Sequence, residues 1–150
     1  MALLKSVDVI SAVKDLIKSK YDYAVYLEDS KENCDSPCFF LALSIFRKRA
    51  GKHKFFCDGN LYITYFAKKG TTDTIEFYHI KDTIQEILHE GIKVQDRYIK
   101  IKSQSAGTDG EDADIIYFDF QFEYYDVFKD SDTEAEYLIE HVHQNLNGGK

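Results

Sequence analysis

Tryptophan is absent from this chain of 150 residues, proline and methionine occur once each, and cysteine three times. Each scarcity removes a class of protein. One proline and scattered glycines leave no flexible linker or low-complexity tract, and no internal repeat divides the chain. We therefore expect a single domain over 1–150, with 146–150 frayed, and 44% hydrophobic content suffices for its core. No apolar run approaches the roughly 18 residues needed to span a bilayer. Lys5 and Asp8 interrupt the apolar start MALLKSVDVI, which therefore reads as no signal peptide. With an odd number of cysteines, this points to free thiols in reducing cytosol rather than a disulfide framework. A basic excess is missing too: a formal charge of −7 disfavours duplex nucleic acid as the main partner.

What the chain has in quantity is aromatic residues, 11 Tyr and 11 Phe. They concentrate in Ile115–Asp126, where Ile116, Phe118, Phe120, Phe122 and Tyr124 alternate with Tyr117, Asp119, Gln121, Glu123 and Tyr125. Strict alternation predicts a long strand with one buried aromatic face and one wet face. In chain order, a helix is expected over 3–19 and a short strand over Tyr23–Glu28. A polar turn follows, and a strand from Cys38 to Phe46 begins after Pro37. Arg47–Lys54 (RKRAGKHK) reads as an exposed loop, and Phe55–Phe66 as a strand in which Asp58-Gly59 is either a type I′ hairpin turn or, the favoured reading, a bulge. Asp73 and Glu76 suggest a capping box for a helix over 74–90, with Gly91 as its stop. A fourth strand is expected at about 96–103 and a polar acidic loop at 104–114. After the aromatic strand, Ser131 and Glu134 suggest a cap for a third helix, whose stripe is Ala135, Leu138, Ile139, Val142 and Leu146. The order α-β-β-β-α-β-β-α predicts an α+β fold: a largely antiparallel sheet of about five strands with helices packed on one face.

Chemistry is harder to find. Cys34, Cys38, His53 and Cys57 offer the donor types of a tetrahedral zinc site, which would make the chain a small zinc-binding or regulatory module. Their x3 spacings are looser than a CxxC knuckle, and Cys38 and Cys57 sit in expected strands, where cysteine is an ordinary small hydrophobe. No nucleophile elbow, P-loop or dinucleotide fingerprint occurs, so neither an enzyme nor a cofactor is expected. His141 and His143, two apart on a helix, face different ways. The basic run flanked by Phe46, Phe55 and Phe56 has the residue types of a single-strand nucleic-acid surface, but docking onto acidic protein suits the chain's own acidic loop better.

Several segments together resemble a family. They are the N-terminal helix, the Y-x-V-Y-x-E pattern at Tyr23–Glu28, Pro37-Cys38-Phe39-Phe40-Leu41, the strand ending Tyr62-Ile63-Thr64-Tyr65-Phe66, Asp96-Arg97 and the late strand Tyr117–Tyr125. Their order over nearly the whole chain resembles the small tail-terminator (tail-completion) proteins of phages and of phage-tail-like particles from Gram-positive bacteria. The resemblance implies a structural virion protein, of a phage or prophage, that caps the tail tube as a hexameric ring. Such a cap ends tube polymerisation and presents the surface for head–tail joining. It implies as partners the tube protein, further copies of the chain, the neck or connector protein and the sheath where there is one. DNA only passes through the bore. The implied location is the host cytoplasm during assembly and then the top of the tail. The resemblance supplies no interface residues. By charge alone, Arg47, Lys48, Arg49, Lys52 and Lys54 on one side, and Asp109, Glu111, Asp112 and Asp114 on the other, are expected to meet a neighbouring subunit or the tube.

Overall fold

A computed structural model describes residues 4–27, 36–68, 74–109 and 114–127. Along the chain these form α1 (Ser6–Lys18), β1 (Ala24–Leu27), β2 (Cys38–Gly51), β3 (Lys54–Phe66), α2 (Thr74–Leu88), β4 (Gly91–Val94), β5 (Arg97–Asp109) and β6 (Ile115–Val127). The expected third helix lies outside the described residues, as does Asp73 of the first capping box.

The aromatic alternation of β6 is read in the right phase. Ile116, Phe118, Phe120 and Phe122 are buried, whereas Tyr117, Gln121, Glu123 and Tyr125 are exposed. β6 is central, in a six-stranded sheet of order β1-β2-β3-β6-β5-β4. The fold is α+β as expected, but the sheet has six strands rather than five, and β1 runs parallel to β2. Alternation fixes which side chains share a face; it carries no information on strand direction.

Two expected loops, and the residues after the second helix, turn out to be strand. The basic run does not interrupt pairing: β2 continues to Gly51 and β3 begins at Lys54, so RKRAGKHK forms the end of a β-hairpin. Residues 104–109, expected as loop because they are polar, pair with β6 from Phe120 to Ile115. Residues 91–94 form β4, which returns into β5 through a turn where Gln95 has φ 57°. Asp58-Gly59 is neither bulge nor hairpin turn, since the β2–β3 register runs through it unbroken. Gly59 is needed for another reason. A Cβ there would stand 2.5 Å from the Ser44 carbonyl oxygen and 2.7 Å from the Phe122 ring.

The helices share the face of the sheet that carries Phe39, Leu61, Phe118, Phe120 and Ile99. α1 buries Val9, Val13 and Ile17, and α2 buries Phe77, Ile80, Ile84 and Leu88. α1 touches both β2 and β4, although β3, β6 and β5 separate them in the sheet. The sheet therefore curls around α1, as the accumulated twist of long strands allows.

Candidate functional site

The buried phase of three strands ends in a charge. On β2 the inward series Phe39, Leu41, Leu43, Ile45 continues to Arg47; on β5, Arg97 opens the series that goes on to Ile99 and Ile101; on β6, Phe122 and Tyr124 lead to Asp126. These three meet at the start of α1. Asp126 is fully buried and accepts hydrogen bonds from Arg97 Nη1 (2.5 Å to Oδ1) and from the backbone N–H of Leu4 (2.8 Å to Oδ2). Arg97 Nη2 also donates to the Tyr125 carbonyl at 2.6 Å, and Arg47 Nη2 donates to the Leu4 carbonyl at 3.0 Å. A buried carboxylate is tolerable only when paired and hydrogen-bonded, and here it fastens the N-terminal helix to the sheet.

All five residues of the predicted basic surface are exposed, and several of them also bind within the chain. Arg47 turns toward the core face. Arg49 ties the hairpin end to itself, donating to the Lys52 carbonyl at 2.9 Å and lying 5.1 Å from the Phe55 ring centroid. Lys54 sits 4.3 Å from the Tyr125 ring centroid. Lys48 and Lys52 are exposed. Of the acidic set, Asp109 ends β5 and Asp114 precedes β6, its carbonyl accepting from Ala67 N–H at 2.9 Å. Glu111 and Asp112 lie outside the described residues. Lys54 pairs with Val127 and Asp109 with Ile115, the two ends of β6. Twelve residue steps at about 3.3 Å each put the basic and acidic ends some 40 Å apart. The structure does not bring the two sets together within one chain.

The outer face of the sheet is polar in the middle. Lys102 reaches Asp58 at 3.3 Å and Glu123 at 3.4 Å, and these bonds, that to Asp58 foremost, raise the lysine above its ordinary range. Asn60 donates to Asp119 at 2.8 Å, and Ser103 to Gln121 at 3.0 Å. Toward the basic end this gives way to Phe46, Tyr98 and Tyr125, all more than half exposed.

The zinc reading fails on geometry. Cys57 pairs with Arg47, nine residues along β2 from Cys38, or about 30 Å at strand rise. Cys38 is moreover disulfide-bonded, which corrects the expectation of free thiols; alternation places a cysteine but is silent on its oxidation state. Cys34 lies outside the described residues. Cys57 is free and buried, its thiol pushed up by desolvation. Among the described residues no group of three or more His, Cys, Asp or Glu could hold a metal. Two open grooves flank α1, one apolar along Val7, Ile10, Leu27 and Leu43, the other beside Asp8, Asp15 and Lys93. No helix among the described residues is long and apolar enough to cross a membrane.

Sequence reasoning missed Asp126 and Arg97 as a pair. The signal was present: a carboxylate in the buried phase of one strand and a guanidinium in the buried phase of another demand each other.

No curated protein matches the chain. Residues 8–134 match the family described as phage tail terminator protein, whose members are structural components of the tail. That span runs from α1 through β6, the whole sheet with both of its charged ends, and the chain belongs to the phage tail terminator family.

Proposed function

We propose that this protein caps the phage tail tube as a ring, of six subunits, ends tube polymerisation and forms the surface that joins the head or neck. The observation that carries the reading is the placement of opposite charge at the two ends of one sheet, some 40 Å apart at strand rise. Two different surfaces of the same chain that attract each other favour head-to-tail contact, and a head-to-tail contact that closes makes a ring. An antiparallel two-fold dimer would also pair opposite ends, but it does not match the rotational symmetry of a tube end, whereas a closed ring does. The formal charge of −7 suits a bore that passes DNA without holding it. The partners on this reading are the tube protein, further copies of the chain, the neck or connector protein, and the sheath in tails that have one. Assembly takes place in the host cytoplasm and the protein finishes at the top of the tail. It acts by shape and surface complementarity, with no catalytic step.

The experiment is a tube-length assay. Cognate tube protein is polymerised with and without the full chain and viewed by electron microscopy. Tubes of limited length bearing a ring at one end are the expected outcome. Tubes of unchanged length without an end structure, or a two-fold dimer on the tube, would remove the reading.

A further inference from the structure

We infer that the aromatic row on the outer face at the basic end of the sheet, Phe56, Tyr125 and Tyr98, is the seat for the acidic end of a second copy of this chain. The inference rests on the ring proposed above and adds the contact from which the ring is built.

Lys48, Phe56 and Tyr125 are register partners across β2, β3 and β6, so their side chains stand side by side on one face. The Phe56 and Tyr125 rings lie 5.3 Å apart, and Tyr98, in the wet phase of β5, extends the row. Tyr125 is 55% exposed and Tyr98 56%, and Phe46 beside them reaches 66%. The middle of the same face is mostly polar, with Tyr62, 42% exposed, as an isolated ring. Its acids and amides already satisfy one another, through Lys102 with Asp58 and Glu123 and through Asn60 with Asp119. Covering that middle would gain little, whereas covering the row removes ring surface from water, and aromatic side chains in such settings are the usual anchors of protein interfaces.

The chemistry of the row selects its partner. Lys54 stands over Tyr125, with Lys48 at the end of the row, and the tyrosine hydroxyls are donors. A segment that combines carboxylates with an apolar ring fits. The opposite end of this chain is such a segment: Asp109 ends β5 and Asp114 precedes β6, and Tyr117, 46% exposed, sits on the same outer face beside them. At some 40 Å along β6 the two cannot meet in one molecule. They can meet between successive copies, each giving its acidic end to the next.

The test places a photo-crosslinking phenylalanine analogue at Tyr125 of the full chain and mixes isotope-labelled with unlabelled copies. The mixture is assembled on cognate tubes, irradiated and mapped by mass spectrometry. Crosslinks between labelled and unlabelled copies that fall within residues 105–117 are expected. They should drop at least several-fold with Lys48→Glu and Lys54→Glu combined, and return when Asp109→Lys and Asp114→Lys are added. If the Tyr125 variant does not form rings, the same analogue at Tyr98 takes its place. Rings whose crosslinks land on the tube protein, on DNA or elsewhere on the second copy, or rings with none, overturn this inference while leaving the capping role intact. Absence of rings with wild-type protein removes both.

Discussion

Arg97 and Asp126 face each other from adjacent strands at the closed end of the core, guanidinium to carboxylate at 2.5 Å, with the carboxylate fully buried. Neither strand ends its buried phase in an apolar residue. The pair is supported on both sides, the second carboxylate oxygen accepting from the Leu4 N–H and the guanidinium donating also to the Tyr125 carbonyl.

Removing one partner leaves the other charge without compensation. Asp126→Ala should therefore destabilise the fold by about 3–5 kcal/mol, and Arg97→Ala by a similar amount. Replacing both with apolar residues should cost less than either alone. Urea denaturation of the three variants measures this. Because Asp126 also holds Leu4, the single variant should in addition free the N-terminal segment to proteolysis before global unfolding. An additive double variant would mean that the two side chains do not act as a pair.

The centre of the sheet makes a second test, of shape rather than charge. Phe120→Ala removes a fully buried ring and should cost about 3–5 kcal/mol. Gly59→Ala adds only a methyl, yet that methyl meets the Ser44 carbonyl and the Phe122 ring below contact distance. Overpacking of this kind costs about 1–3 kcal/mol. Gly59→Ala combined with Phe122→Leu should recover part of that loss, because the smaller side chain vacates the space. Chemical denaturation reads both, and a neutral Gly59→Ala would show that the β2 backbone at Ser44 as well as the Phe122 ring can move aside.

How much of this was legible in the sequence depends on where each signal lives. Face assignment was written into β6 and the first part of β2, because burial on one side selects apolar residues at every second position. Strand ends were not. Lys48, Arg49 and residues 104–109 are strand by virtue of backbone pairing, and apart from the half-buried Ala106 they are exposed, so their polarity resembles that of a loop. The direction of β1 and the curl around α1 are set by contacts distant in sequence and leave no periodic trace. Charge was legible in amount and position along the chain but not in orientation. Neighbouring cations such as Arg47 and Lys48 looked equivalent until the strand phase was extended through them.

Alkaline pH should weaken the fold in a defined window. Burial, followed by the charge of Cys57, pushes the Tyr124 hydroxyl up to about 12, and its buried oxygen has only the weakly bonding Cys57 thiol beside it and no oxygen or nitrogen partner. An acid whose folded pKa is raised holds its proton in the native state after the unfolded chain has released it. The stabilisation is thus complete below the ordinary tyrosine value of about 10 and lost as pH rises from there toward 12. Desolvated Tyr65 moves in the same direction. Tyr124→Phe should be neutral or stabilising by about 1 kcal/mol at pH 7, since it removes an unsatisfied hydroxyl. It should also shrink the loss of stability between pH 9 and 11, as followed by thermal melts. A variant that melts lower at pH 7, with an unchanged alkaline slope, would mean that the hydroxyl is satisfied after all.

Arg47 and Lys48 are adjacent, alike in charge and opposite in direction, and this separates folding from assembly. Arg47 donates to the Leu4 carbonyl from the core face, so Arg47→Glu removes that bond and brings a second carboxylate toward Asp126. Its cost should appear in the isolated protein, as a stability loss of about 2 kcal/mol or more. Lys48 projects from the outer face beside Phe56 and is exposed. Lys48→Glu should leave stability within about 0.5 kcal/mol of wild type, as surface substitutions away from special features do. On the proposed function its effect belongs to assembly. Rim charges set encounter rate and orientation more than final affinity, so capping should slow, and slow most at low salt. The measurement is the length distribution of cognate tubes polymerised with each variant, beside its denaturation curve. Overlong tubes from a Lys48→Glu protein that melts normally would assign the exposed face of this hairpin to capping. Normal lengths would remove Lys48 from the contact, and a Lys48→Glu protein as unstable as Arg47→Glu would show that the two cations do not point to opposite faces.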